Sequence, residues 1–167
     1  MENYLIKTPH LGLRLIKKGD DKHLKLIERD PAVKEFFPEG LLNDKDIKDY
    51  IDECLVDYEE KHLPCFVIFK LSNDEFVGES YFNQLESGEI KVGYLLHQKF
   101  WHKGYATEIL KGLLRWAREN IETDYIIAYA DRKNTASFRV MQKCGMKYYK
   151  KGHYKDMACY FYRIRNQ

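Results

Sequence analysis

Apolar residues at Ile90, Val92 and Tyr94 alternate with Glu89, Lys91 and Gly93, and this period of two predicts a strand with one buried face. From Ala106 the spacing changes to Ala106, Ile109, Leu110, Leu113, Leu114 and Ala117, which lines one side of a helix. His97 to Tyr105 joins the two as a short loop with Gly104 at the helix entrance and bases at Lys99 and Lys103. The free N–H groups of a first helical turn, with the helix dipole, favour an anion there, and a glycine lets the main chain approach a phosphate. By itself the segment also admits a plainer reading as turn chemistry, since every strand-to-helix crossover needs a tight loop.

The same patterning organises the rest of the chain. Leu11 to Ile16 reads as a first strand, and Asp20 or Asp21 caps a helix through Leu24 and Ile27 that ends before Pro31. A short helix is expected at Ala32 to Phe37, closed by Pro38 and Gly40. Asn43 or Asp44 caps a longer one whose stripe is Ile47, Tyr50, Ile51, Cys54, Leu55 and Tyr58. Cys65 to Leu71 and Glu75 to Phe82 form a hairpin around Ser72-Asn73-Asp74. A turn at Glu86-Ser87-Gly88 leads into the strand first described. Asp124 to Ala130 reads as a fully buried strand, with Tyr125 to Tyr129 apolar throughout. Asn134 caps a short helix that buries Phe138 and Met141 and stops at Gly145. Met146 to Tyr149 and Ala158 to Arg163 close the chain as a hairpin. The expectation is one α/β domain over residues 1–167, without repeat or linker.

Composition narrows the classes. A hydrophobic fraction of 44% with 13 Tyr, 9 Phe and 2 Trp argues for a packed core rather than a disordered chain. No apolar run approaches a membrane span, and the opening Met-Glu-Asn-Tyr-Leu lacks the basic start and apolar core of a secretion signal, so a cytoplasmic protein is expected. Cys54, Cys65, Cys144 and Cys159 are widely separated and suggest neither a zinc site nor a disulfide framework. The net charge of +2 hides an asymmetry: residues 30–62 carry eleven acidic against four basic side chains, residues 97–167 fifteen basic against six acidic. Solvated faces explain such runs; alternatively, the basic part attracts a polyphosphate and the acidic part a cationic amine. Scattered basic residues on a nearly neutral chain fit nucleic acid poorly, and DNA is not expected as a partner.

Trp101-His102-Lys103-Gly104-Tyr105-Ala106-Thr107-Glu108, followed about thirty residues later by Asn134 to Met146, resembles the GCN5-related N-acetyltransferases (GNAT), in the branch that acetylates ribosomal-protein N-termini and also includes many small-molecule amine acetyltransferases. The resemblance extends over nearly the whole chain. The family's loop pattern, Gln/Arg-x-x-Gly-x-Gly/Ala, is met at Gly104 and Ala106, with Trp101 in place of the first residue and His102 where the branch often has glycine. It implies a mixed, mostly antiparallel twisted sheet of about seven strands flanked by helices, acetyl-CoA as co-substrate with no metal, and an amine acceptor, either a small molecule or a protein N-terminus. A monomer or homodimer is expected.

The same resemblance implies site roles. The coenzyme's pyrophosphate would be held by main-chain N–H groups from His102 through Lys103, Gly104, Tyr105 and Ala106 to Thr107, with Lys103 adding charge. Its pantetheine arm would run along the strand ending at Leu95 and Leu96 and meet Asn134, while Lys143 could reach a phosphate or merely complement its helix's C-terminus. The branch's glutamate two residues before Gly93 is replaced by Lys91, so the base passes to Glu89, with Glu79 as rival. Ser137 matches a hydroxyl that could protonate the departing thiolate or support the Asn134 cap. Glu108 has a sufficient role at its helix's N-terminus. A non-catalytic acyl-CoA-binding protein of the same fold is the alternative to an enzyme.

Overall fold

In a computed structural model, which describes residues 3–167, the elements follow one another as β1 (Ile6–Lys7), β2 (Leu11–Leu15), α1 (Asp21–Glu28), α2 (Asp44–Lys61), β3 (Cys65–Lys70), β4 (Phe76–Gln84), β5 (Ile90–Leu96), α3 (Tyr105–Asn120), β6 (Tyr125–Asp131), α4 (Thr135–Lys143), β7 (Lys147–Tyr154) and β8 (Met157–Arg165). The strands make one sheet in the order β1-β2-β3-β4-β5-β6-β8-β7. Each neighbouring pair is antiparallel except β5 and β6. The sheet has eight strands rather than about seven, because Ile6 and Lys7 pair with Leu13 and Gly12. Two residues are too few to show a period.

The expected helices are present with one exception. Asn43 caps α2 by accepting from the Asp46 amide at 2.8 Å, and the Asp46 carboxylate reciprocates on the Asn43 amide, a capping box. Residues 31–36 form turns, and no helix spans 32–37. Bracketed by Pro31 and Pro38, that stretch is too short to repay helix nucleation. Its Lys34 side chain is drawn into a buried pair with Glu28, at 3.0 Å.

Apolar side chains cover both faces of the sheet. Ile109, Leu110, Leu113, Leu114 and Ala117 of α3 are buried against Leu13, Ile68, Phe82 and Val92, together with Phe138 and Met141 of α4. Leu24, Ile27, Ile47, Ile51 and Cys54 of α1 and α2 pack on the opposite face, over Val67 and Leu95. Truncating a side chain such as Leu110, which has no exposed surface, would cost about 2–5 kcal/mol. Cys54 and Cys65 meet inside the second cluster with their Sγ atoms 2.7 Å apart, both as free thiols.

Candidate functional site

The sheet is interrupted in the middle. β5 pairs with β4 along its whole length, from Ile90↔Gln84 to Leu96↔Gly78, but with β6 only at Ile90↔Ile126 and Lys91↔Ile127. Beyond Lys91 the two parallel strands diverge and leave a wedge. Strand geometry decides which groups face it. The His97 amide donates to the Val77 carbonyl at 2.8 Å, so by the alternation of an antiparallel ladder the amides of Lys91, Gly93 and Leu95 turn toward β4. Those of Tyr94 and Leu96 turn into the wedge. Of the two leucines expected to border the coenzyme arm, Leu96 therefore offers its N–H to the opening, whereas Leu95 spends its own on β4.

The loop after β5 is pinned back on the strand by Trp101, whose Nε1 donates to the Leu96 carbonyl at 2.9 Å. Gly104 is the N-cap of α3 at φ 81°, a left-handed conformation that favours glycine, and a Cβ there would meet nothing within 4 Å. His102 is also left-handed, at φ 60°, so the loop curls twice and forms the kind of concavity that gathers main-chain N–H groups around an anion. With no side chain at the N-cap, the first-turn amides at Tyr105, Ala106 and Thr107 are left for an external acceptor. Lys103 is exposed beside them. Glu108 points elsewhere: it accepts from Thr8, from the His10 amide at 2.9 Å and from the His10 ring at 2.8 Å, tying α3 to the turn between β1 and β2.

The short helix α4 stands on the same side of the sheet. Asn134 caps it, accepting from the Ser137 amide at 3.3 Å. The Ser137 side chain borders the Tyr94 phenol, whose pKa is pushed up to about 12 by burial and held back by Ser137. The Tyr94 hydroxyl has no partner at full hydrogen-bonding geometry among the described residues. Lys143 lies exposed in the last turn of α4, and the adjacent Cys144 thiol reaches the Thr107 carbonyl at 3.6 Å. The fold thus gathers the loop, Asn134, Ser137 and Lys143 on the α3/α4 side of the wedge.

The α1/α2 side is a different environment. Glu79, opposite Leu95 in the β4–β5 ladder, is 1% exposed and accepts a hydrogen bond from the Tyr50 hydroxyl at 2.9 Å. Burial, helped by repulsion from Glu28, pushes its pKa up to about 8. Desolvation likewise raises Glu28, against the pull of Lys34. Tyr81 lies opposite Gly93, and its ring occupies the space a side chain at 93 would need, since a Cβ there would come within 2.4 Å of the phenol oxygen. Lys91 completes this face, with Nζ 3.2 Å from the Tyr81 hydroxyl and its pKa brought down to about 8 by burial.

Glu89 does not join this group. It precedes β5, in the turn after β4, where it accepts from Tyr149 at 2.9 Å and from Ser87 at 2.9 Å and lies 3.8 Å from Lys150. Six residues of extended chain, about 20 Å, separate it from Leu95. Side-chain parity put Glu89 on the correct face, but distance along the strand removes it from the opening. The acidic run of residues 30–62 is also mostly a solvent face, because only Ile47, Ile51 and Cys54 of α2 are buried. Tyr50, Tyr81, Tyr94 and the Glu28–Lys34 pair carried no signal in sequence beyond polar or aromatic residues among apolar ones.

This arrangement of a split parallel pair, an uncapped helix start and a second short helix coincides with a family match. The chain belongs to the GNAT acetyltransferases: the family's Acetyltransferase (GNAT) domain matches residues 10–147. It is similar to the uncharacterized N-acetyltransferase YnaD of Bacillus subtilis (strain 168), 25% identical over 143 residues that span 85% of this chain and 82% of that protein. Among solved structures, a GNAT-family acetyltransferase from Bacillus anthracis superposes with a TM-score of 0.82 at 24% identity, over 96% of this chain and 98% of the other. RimL, a ribosomal L7/L12 alpha-N-protein acetyltransferase in complex with Coenzyme A, superposes with a TM-score of 0.84 at 15% identity, over 98% of each chain.

Proposed function

We propose that this acetyltransferase takes an acetyl group from acetyl-CoA and passes it to a primary amine by direct attack, with both substrates bound at once. The wedge between β5 and β6, closed at one end by the uncapped start of α3, carries this reading. The reading is supported by Gly104, which leaves both backbone freedom and open space for an anion at that end. Acetyl-CoA supplies the activated acyl group when bound. The amides of His102 to Thr107 would hold its phosphates, with Lys103 and Lys143 adding charge, and Asn134 would meet the pantetheine arm. The Tyr94 and Leu96 amides would polarise the thioester carbonyl as negative charge develops on its oxygen.

The acceptor would enter from the α1/α2 side. An alkyl amine has a pKa of about 10 and must lose a proton before attack. Glu79 is favoured over Glu89 for this step, because it faces the open end of β5 and its pKa lies near neutrality, where a general base works best. On the other side, Ser137 with Tyr94 would return a proton to the departing thiolate.

The acceptor class is either a small cationic amine or a protein N-terminus. RimL's name refers to the alpha-amine of a ribosomal protein, while Glu39, whose carboxyl acts on the Lys91 amine, favours a cationic acceptor here. A panel comprising a polyamine, an aminoglycoside and a peptide with a free N-terminus, assayed by thiol release, tests the proposal. Turnover of one class is expected; acetyl-CoA binding without turnover of any of them would refute it.

A further inference from the structure

Lys91 stands at the last β5 position paired with β6, where the wedge begins. Its side chain reaches along the strand to the Tyr81 hydroxyl, 3.2 Å from Nζ. That hydroxyl lies over Gly93, so the amine is held above the first open residues of β5, on the acceptor side. Aromatic rings surround it: Nζ is 4.2 Å from the centroid of Tyr129, 5.2 Å from that of Tyr81 and 6.0 Å from that of Tyr154. Among the described residues, no carboxylate comes within ion-pair distance of Lys91. A primary amine of the protein itself therefore stands on the acceptor side of β5, beside Gly93 and two residues along the strand from the Leu95 that faces Glu79.

We propose that Lys91 is itself an acetyl acceptor, so that the enzyme modifies its own Nζ when acetyl-CoA is bound and no competing amine is present. The inference rests on the acetyl-CoA reading given above. The lone pair of neutral Nζ attacks the thioester carbonyl carbon; the N–C bond forms and the C–S bond breaks. The sulfur leaves with the bonding pair, and the proton shed by nitrogen ends on that thiolate. The products are Nε-acetyl-lysine and free coenzyme A, and no other reactant is needed. Burial supplies the neutral amine by lowering the Lys91 pKa, while Glu39 and Cys159 oppose that shift. The groups facing Nζ are Tyr81 from β4, Tyr129 from β6, Tyr154 from β7, Cys159 from β8 and Glu39 from the loop before α2.

The test is incubation of the full chain with acetyl-CoA alone, followed by intact mass and peptide mapping, with calorimetry on the same protein to measure acetyl-CoA binding. One acetyl group per chain on Lys91 is expected, with a rate that rises roughly tenfold between pH 7 and 9 and then levels off, unlike surface lysines with a pKa of about 10.4. Lys91→Arg should abolish the labelling. Tyr81→Phe should slow it roughly fivefold, the effect of one lost hydrogen bond, and guards against a folding defect in the first variant. Binding and amine turnover without acetyl on Lys91, or labelling spread over surface lysines at equal rates, overturns this inference alone. Absence of acetyl-CoA binding brings down the inference and the proposed function together.

Discussion

The two sides of the sheet at the wedge do opposite things with polarity. On the α3/α4 side the polar groups are main-chain amides and exposed lysines, presented by a loop, two helix starts and the last turn of α4, none of which needs a buried charge. On the α1/α2 side, ionisable side chains are enclosed: Glu79 and Glu28 are 1% and 3% exposed, and Lys34 is 7% exposed. Main-chain dipoles keep the same character at every pH and suit a fixed anion, whereas burial raises the Glu79 and Glu28 carboxyl groups and lowers the Lys91 amine, the condition in which such groups can move protons. In the proposed function the first side holds the coenzyme and the second moves protons.

The largest expected effect tests that division directly. Glu79→Gln should lower kcat by roughly a hundredfold or more while leaving acetyl-CoA affinity unchanged. Glu89→Gln, at the distant turn, should alter kcat by less than about twofold. Steady-state kinetics with calorimetry on both variants decides it; the reverse ranking would return the base to Glu89.

Gly104→Ala probes the holding side. A left-handed alanine costs about 1–2 kcal/mol, and its methyl would meet no protein atom, so the melting curve should shift only modestly. Acetyl-CoA affinity should nevertheless fall roughly tenfold, because the added group and the altered backbone both intrude on the anion's place. Unchanged calorimetric affinity would mean that the coenzyme is gripped elsewhere.

Stability against pH sharpens the contrast from the titrating side. Glu79 has a folded pKa of about 8 against a usual 4.5, so its contribution is fully present below pH 4.5 and is lost as the pH rises to 8. Lys91 has a folded pKa of about 8 against a usual 10.5, so its contribution is fully present above pH 10.5 and is lost as the pH falls to 8. The two windows meet, and stability should pass through a minimum near pH 8. Glu79→Gln should remove the acid limb and exceed the wild type at pH 8 by roughly 2 kcal/mol or more. Thermal melts from pH 5 to 10 would show it; a flat profile would mean that neither group is desolvated as described.

The smallest effect is expected at Ser137. Its amide, rather than its hydroxyl, is held by the Asn134 cap, so Ser137→Ala should leave the helix intact and reduce kcat by less than about tenfold. Adding Tyr94→Phe should deepen the loss if the two hydroxyls share the proton. Strict additivity of the two changes, measured by kcat at saturating acetyl-CoA, would separate them.

Much of the holding side was legible because it is local. Gly104, the Ala106 to Ala117 stripe and the Asn134 cap with its Gly145 stop each follow from neighbours within a few residues, and each lies where the periodicity put it. Parity along β5 also set Glu89, Lys91 and Gly93 on one face. Parity carries no information about which part of a strand lies beside the opening, so it sets the face of Glu89 but not its distance from Leu95.

Sequence alone determined the order of the elements from β2 onward apart from the helix expected at 32–37, the apolar stripe of α3, the glycine at the entrance of α3 and the face on which each β5 residue lies, because short-range backbone geometry and hydrophobic period fix these. The tertiary structure decided where β5 leaves β6, that Leu96 rather than Leu95 turns its amide outward, and that Tyr50 meets Glu79 and Tyr81 meets Lys91 on one face of the sheet. Those features depend on contacts between segments tens of residues apart and on desolvation. Desolvation arises only when the chain has closed around a group.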